Sequence, residues 1–200
     1  MNEGIGHMKI PIDLTMLLCE SPAEWEAWLE EYHAISPGVR LQIAKKDSGK
    51  VSVSYAEALE IALCYGWIDG QKQALDDKFF LQKFTKRRPK SIWSKVNTQK
   101  VTDLISQGRM RSSGLQAVEA AKQDGRWDMA YDSSSRAVVP EDFQAELDKN
   151  PEAKDFFATL NKANRYAIYF RIQTAKKAET RRVWIEKFIV MLTEHKKLYP

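Results

Sequence analysis

Residues 54–73, SYAEALEIALCYGWIDGQKQ, decide the fold of this chain, because a helix pattern changes into a strand pattern within them. Ser54 and Glu57 have the spacing of a capping box, which marks the start of a helix. Gly66 is a natural stop for that helix, since glycine readily adopts the left-handed conformation that follows a helix end. We therefore predict a helix that ends just before Gly66 and a strand over 67–73.

The rest of the N-terminal half mixes the same two patterns. A second helix is predicted from Ser21, which precedes a proline and a stripe of aromatic residues. Alternating segments predict two β-hairpins, one over 39–53 and one that joins 67–73 to 78–84. The apolar stretch 14–19 is expected to be a strand or a docked arm.

The pattern after residue 84 is helical. The predicted helices cover 94–107, 112–123, 140–147, 151–160, 162–174 and 180–196. Residues 124–139 contain few apolar side chains and are expected to be a linker or a long surface connection. We predict an α+β protein with small antiparallel β-hairpins packed with helices in its N-terminal half and an all-helical C-terminal half. The expected domains are 1–135, with a basic loop, and a helical C-terminal region, 136–200.

Composition indicates a folded protein of the cytoplasm. Hydrophobic residues make up 44% of the 200 residues, which is typical of chains with a packed core. No apolar run is long enough to cross a bilayer, and residues 1–11 lack the pattern of a secretory signal. Cys19 and Cys64 belong to no C-x-x-C pair, so reduced thiols in a cytoplasmic protein are expected.

Positive charge is concentrated in two segments. Residues 83–100 contain seven Lys and Arg and no acid, and residues 161–182 contain seven against one Glu. The net charge of the whole chain is only +4, so the remainder is acidic. Such asymmetry steers an anionic partner toward one face, although an ordinary solvated surface gives the same composition.

Motifs for metal, nucleotide or hydrolytic chemistry are missing from the sequence. His7, His33 and His195 lie in unrelated segments, so no zinc site and no cofactor is predicted. The catalytic residues, if there are any, are unknown. A pocket candidate surrounds Asp69, which follows Trp67 and is the one acid in an aromatic setting. Asp69 is interpreted as a general base, as a turn residue, or as a carboxylate paired with an arginine.

The first basic segment has the parts of an anion site. The candidate ligand-binding residues are Arg87, Arg88, Lys90, Trp93, Ser94, Lys95 and Asn97. Arginines grip phosphate or carboxylate with two bonds, a helix start offers free amides, and a tryptophan stacks on a ring. The alternative is a solvated loop in which Trp93 packs into the core and Arg87 or Arg88 bonds Asp69 or Asp76.

The second basic segment is expected to be largely a solvated helical surface. Arg165 and Arg171 are six residues apart, so they do not share a narrow helix face. Arg182 and Glu186 have the spacing of a helical ion pair.

Several motifs together resemble the YdeI/OmpD-associated family of bacteriocin-protection proteins. They lie at 55–60, 64–70, 84–97, 108–110, 124–127, 139–142, 150–151, 164–166 and 172–180. The resemblance covers nearly the whole chain from about residue 15. It implies a role in tolerance of bacteriocins or cationic antimicrobial peptides and in outer-membrane protein expression, and it implies no particular reaction.

Three hypotheses follow. The leading one is a non-enzymatic cytoplasmic tolerance protein that binds an anionic ligand, either nucleic acid or a phosphorylated metabolite, through the first basic segment. The second is an enzyme with a small-molecule pocket around Asp69, Arg87 and Trp93. The third is a protein–protein interaction module. The sequence leaves the oligomeric state open.

Overall fold

The computed structural model describes residues 14–200, over which the chain forms eight helices and a four-stranded sheet. The strands are β1 (Met16–Leu18), β2 (Val39–Ala44), β3 (Trp67–Ala74) and β4 (Phe79–Lys86). The helices are α1 (Pro22–Tyr32), α2 (Tyr55–Cys64), α3 (Lys95–Ser106), α4 (Ser112–Gln123), α5 (Glu141–Lys149), α6 (Pro151–Thr159), α7 (Lys162–Gln173) and α8 (Ala178–Thr193). The predicted α+β class is confirmed. The absence of a signal over 1–11 and the histidine at position 7 concern residues outside the described range.

The chain divides into two compact units. Residues 14–91 and 101–120 belong to the first, and 92–100 and 121–200 belong to the second. The sheet, α1 and α2 lie in the first unit, and α5 to α8 lie in the second. Helices α3 and α4 have residues in both. The predicted domain boundary at residue 136 stays a prediction.

Helix α2 begins and ends where its sequence signals lie. Ser54 and Glu57 exchange the two bonds of the capping box at 3.0 and 3.3 Å. Gly66 follows the helix with φ +75°, and a Cβ there would lie 2.8 Å from the carbonyl oxygen of Ser113. Position 66 therefore requires glycine both for its backbone conformation and for the close approach of the neighbouring chain.

The strand order of the sheet is β1-β2-β4-β3. The predicted hairpin of β3 and β4 is confirmed. The predicted hairpin over 39–53 is wrong, because 51–53 forms no strand and β2 pairs with β4 antiparallel and with β1 in parallel. Both edges of β2 are therefore hydrogen-bonded to other strands, β1 on one side and β4 on the other. Residues 51–53 are attached instead by a hydrogen bond of 2.9 Å from the amide of Val53 to the carbonyl of Cys19.

The core of the first unit is aromatic. Trp25 of α1 is fully buried and lies 5.5 Å from the ring of Phe84 on β4. Trp67 of β3, also fully buried, meets Trp28 of α1 edge to face at 5.8 Å. Helix α1 thus covers one face of the sheet.

Both cysteines are free thiols buried in this unit. Burial raises the pKa of Cys19 to about 11, with help from the charge of Glu24. Burial also raises the pKa of Cys64. Neither thiol is set up as a nucleophile, because the reactive thiolate is disfavoured at both positions.

The second unit packs α5 to α8 around a separate core. Phe143, Leu147, Ile168, Ile172 and Leu192 are almost fully buried there. No helix within 14–200 combines the length and the apolar character that crossing a bilayer requires.

An ion pair joins the starts of α5 and α8. Arg181 donates to both carboxylate oxygens of Asp142 at 2.6 and 2.8 Å and to the carbonyl of Ile172 at 2.9 Å. The hydrogen bonds from Arg181, together with its charge, lower the pKa of Asp142 although partial burial opposes the shift. The guanidinium thus connects three helices of this unit.

We predict that Asp142→Asn lowers the free energy of unfolding by about 1 kcal/mol at pH 7. The folded pKa of Asp142 is lowered, so its contribution is present above the unfolded pKa and is lost as the pH falls through the folded value. The difference between wild type and variant in urea unfolding should therefore shrink toward pH 3. The control Asp155→Asn removes an exposed acid of α6. An equal loss in both variants would contradict the prediction.

Candidate functional site

The tip of the first basic segment is a turn that follows β4. The amide of Arg88 donates to Oγ of Ser91 at 3.0 Å, and the amide of Ser91 donates back to the Arg88 carbonyl at 2.9 Å. Pro89 and Lys90 form the exposed apex. These reciprocal bonds hold the apex in one conformation.

Three cations of this region lie open to solvent. Lys86, Arg88 and Lys90 are exposed, and none of them forms an ion pair with an acid of the described range. Arg87 differs, because it is half-buried and has interactions of its own. All four belong to the first unit. Lys86, Arg88 and Lys90 are named the basic tip below.

Trp93 belongs to the second unit and is 1% exposed. Its ring packs against that of Trp127, with 5.0 Å between the centroids, and its carbonyl accepts the amide of Tyr131 at 3.0 Å. The side chain therefore has a packing role in this unit. It does not offer an open face on which a base or ring of a ligand could stack.

Groups of the second unit already accept hydrogen bonds from amides at the start of α3. The amide of Lys95 donates to the carbonyl of Tyr131 at 2.9 Å, and the amide of Asn97 donates to Oγ of Ser94 at 3.2 Å. The ammonium of Lys95 donates to Asp132 at 2.9 Å. Two helix-start amides and one predicted cation are thus engaged within the protein. Of the predicted site residues, Arg88 and Lys90 lie in the basic tip, and Lys86 of the tip was not predicted.

Burial alone would raise the pKa of Asp132, but hydrogen bonds from Gln173 and Lys95 and the Lys95 charge lower it. The carboxylate is therefore ionised at neutral pH and accounts for the charge of Lys95. Nothing in the first basic segment indicated this partner, because it lies 37 residues away in the sequence.

The pocket candidates Trp67 and Asp69 have structural contacts in the first unit. The indole of Trp67 is fully buried and donates to the carbonyl of His33 at 3.1 Å. Asp69 lies within β3, opposite Phe84, and accepts a hydrogen bond of 2.9 Å from the hydroxyl of Tyr55. Burial and the charge of Asp69 raise the pKa of Tyr55. The interpretation of Asp69 as a turn residue is wrong.

Asp76, considered as a partner for an arginine, accepts the amides of Lys78 and Phe79 at 2.7 Å each. These bonds lower its pKa and shape the turn between β3 and β4. Within 14–200 no three His, Cys, Asp or Glu side chains gather as a set that could hold a metal ion.

The second basic segment is partly paired, as expected. Arg182 and Glu186 form the predicted contact at 3.5 Å. Lys162 and Arg171, however, flank a groove along α7 that the sequence did not indicate. A signal was available in the sequence, since Ala163, Tyr166, Ala167 and Phe170 repeat at helical spacing within this segment.

Comparison with known proteins assigns the two parts of the chain separately. Residues 17–117, about half of the chain, match the model of a family described as Domain of unknown function (DUF8412). Residues 136–195 match the model described as Bacteriocin-protection, YdeI or OmpD-Associated. The chain belongs to the DUF8412 family and carries a YdeI/OmpD-associated region. No curated protein and no solved structure matches it significantly.

The resemblance to the YdeI/OmpD-associated family is therefore confirmed for the C-terminal part. The motifs at 55–60, 64–70, 84–97 and 108–110 lie instead within the DUF8412 region. Several motif residues are structural. Arg126, 5% exposed, donates to both oxygens of Asp124 at 2.7 Å, and Trp127 packs on Trp93.

We predict that Trp93→Ala lowers the free energy of unfolding by about 3–5 kcal/mol, because it leaves a cavity beside Trp127. Arg88→Ala should change that free energy by less than about 0.5 kcal/mol, since its side chain is exposed. Urea unfolding of both variants tests the difference, with Trp93→Phe as a milder change if the alanine variant does not fold. A loss below 1 kcal/mol for Trp93→Ala would contradict the packing role.

Proposed function

We propose that this protein is a non-enzymatic, cytoplasmic tolerance protein of the bacteriocin-protection type that binds an anionic ligand through the basic tip. The observation that carries the proposal is that Lys86, Arg88 and Lys90 are exposed and form no ion pair within the described range. Three unpaired cations within five residues raise the local concentration of anions.

The turn geometry supports this role. The bonds between Arg88 and Ser91 order the backbone of the apex before any ligand arrives. A pre-ordered site loses less conformational entropy on binding than a mobile arm does. Arg88 supplies a planar fork for phosphate oxygens, and the two lysines act as point charges beside it.

The C-terminal family match supports the tolerance role. A positively charged surface is poorly suited to capture a cationic peptide directly, so the ligand of the basic tip should be an anion of the cell itself. Nucleic acid and phosphorylated metabolites are the two candidates, because both present phosphate groups.

We predict that Arg88→Gln combined with Lys90→Gln weakens binding of a fluorescent 20-nucleotide single-stranded DNA and flattens its salt dependence. The slope of log K against log salt should fall by about 0.7 for each lost phosphate contact. Fluorescence anisotropy at several salt concentrations between 50 and 200 mM measures both effects. A parallel titration with a nucleoside triphosphate separates the two ligand classes.

The matched control is Lys46→Gln combined with Lys50→Gln, which removes two exposed charges of the same unit at a distant turn. This control should leave the slope unchanged. The proposal fails if the wild type shows no salt-dependent binding to either probe. It also fails if the control weakens binding as much as the test variant does.

A further inference from the structure

A groove of about 680 Å³ runs along α7 within the second unit. Its lining includes the small side chains of Ala163 and Ala167, named the floor below, and the rings of Tyr166 and Phe170. The four positions follow i, i+3, i+4 and i+7, so they share one helix face. A volume of this size fits a single small organic molecule.

Hydrogen bonds connect Asp132, two residues before the groove residue Ser134, to α7. The hydroxyl of Tyr166 donates to the carbonyl of Asp132 at 3.1 Å. The side chain of Gln173 accepts the Asp132 amide at 3.2 Å and donates to its carboxylate at 2.9 Å. These bonds attach the segment that contains the groove residue Ser134 to α7.

A buried amide connects Leu198 and Tyr199 to α7. Asn164 has no exposed surface, and its Oδ1 accepts the amides of Leu198 and Tyr199 at 2.9 and 3.0 Å. Its Nδ2 donates to the carbonyl of Tyr199 at 3.2 Å. Tyr199, which lines the groove, is thereby tied to the helix that forms the floor. Hydrogen bonds thus connect to α7 the two segments that contribute Ser134 and Tyr199 to the groove.

The charged residues that line the groove are all positive. Lys162 and Arg171 line it, no acid does, and neither cation forms an ion pair within the described range. A smaller cavity of about 440 Å³ shares Lys162 and Tyr166 and adds Arg165. Nε of Arg165 is buried without a hydrogen-bond partner among the described residues. Positive charge thus accumulates at the Lys162 end.

We propose that this groove binds a small amphipathic carboxylate. The apolar body of the ligand lies over Ala163 and Ala167 between the aromatic rings, and its carboxylate lies at Lys162 beside Arg165. An apolar surface joined to unpaired cations selects this chemistry, because a neutral ligand leaves the cations unused and a purely polar anion leaves the floor exposed to water. The site is separate from the basic tip, which belongs to the other unit.

The test uses 2-naphthoate as the probe and its neutral analogue 2-naphthamide as the matched ligand, both measured by calorimetry on the full chain. We expect one naphthoate per chain and binding of the amide at least about tenfold weaker. Lys162→Gln should weaken naphthoate about tenfold, and Ala163→Leu, which fills an exposed part of the floor, should abolish its binding. Alanine-methyl NMR of the wild type should show naphthoate-induced shifts at Ala163 and Ala167.

Lys187→Gln and Ala120→Leu are the controls, because they make the same changes at exposed helix positions that do not line the groove. Both should bind naphthoate like the wild type, as should the variant of the basic tip. Equal affinity for the amide, unchanged binding by Ala163→Leu, or the absence of shifts at the two alanine methyls would overturn the proposal. Binding to vesicles of phosphatidylcholine and phosphatidylglycerol without any binding of naphthoate would also overturn it, in favour of a lipid headgroup.

Discussion

Two buried indole N–H groups hold the first unit together. Trp25 of α1 donates to the carbonyl of Ala58 on α2 at 3.0 Å, and Trp67 of β3 donates to the carbonyl of His33 at the end of α1 at 3.1 Å. A buried donor that loses its acceptor costs about 1–3 kcal/mol, so both bonds constrain where α1 lies. They connect β3 to α1 and α1 to α2. Trp67 lies opposite Lys86 at the end of β4. The hydrogen bond of Trp67 therefore also fixes the strand end at which the basic tip begins.

The local signals of the sequence predicted the helices well. Ser54, Glu57 and Gly66 act within one or two helical turns, so a pattern a few residues long is enough to predict where α2 begins and ends. The error over 39–53 has the opposite origin. Alternation shows which side chains of β2 are buried, and it does not show which strand lies beside it. The antiparallel partner of β2 is β4, about forty residues further along the chain, and no short pattern contains that information.

The candidate site shows the same difference between features that a short stretch of sequence predicts and features that depend on distant residues. The cations of the basic tip and the capping serine of α3 were visible as residue types, because charge and capping are properties of single positions. Whether Trp93 points outward or inward was not visible, since an aromatic residue between lysines has the same sequence in either case. Its burial depends on Trp127, and the engagement of Lys95 depends on Asp132. The groove along α7 was missed for this reason as well, because two of the segments that line it bond to α7 residues 34 and 35 positions away.

The count of cations in a segment therefore overstates the charge that a ligand can meet. Lys95 in the first segment and Arg181 in the second are engaged by Asp132 and Asp142 and contribute to stability. Once such pairs are set aside, the cations of the two segments that have no acidic partner in the described range include those of the basic tip and Lys162 at one end of the groove. The first is an exposed polar turn and the second adjoins an apolar floor. Under the two proposals, surfaces with the same sign of charge select different anions, because the surroundings of the charge decide whether water or an apolar body lies next to it.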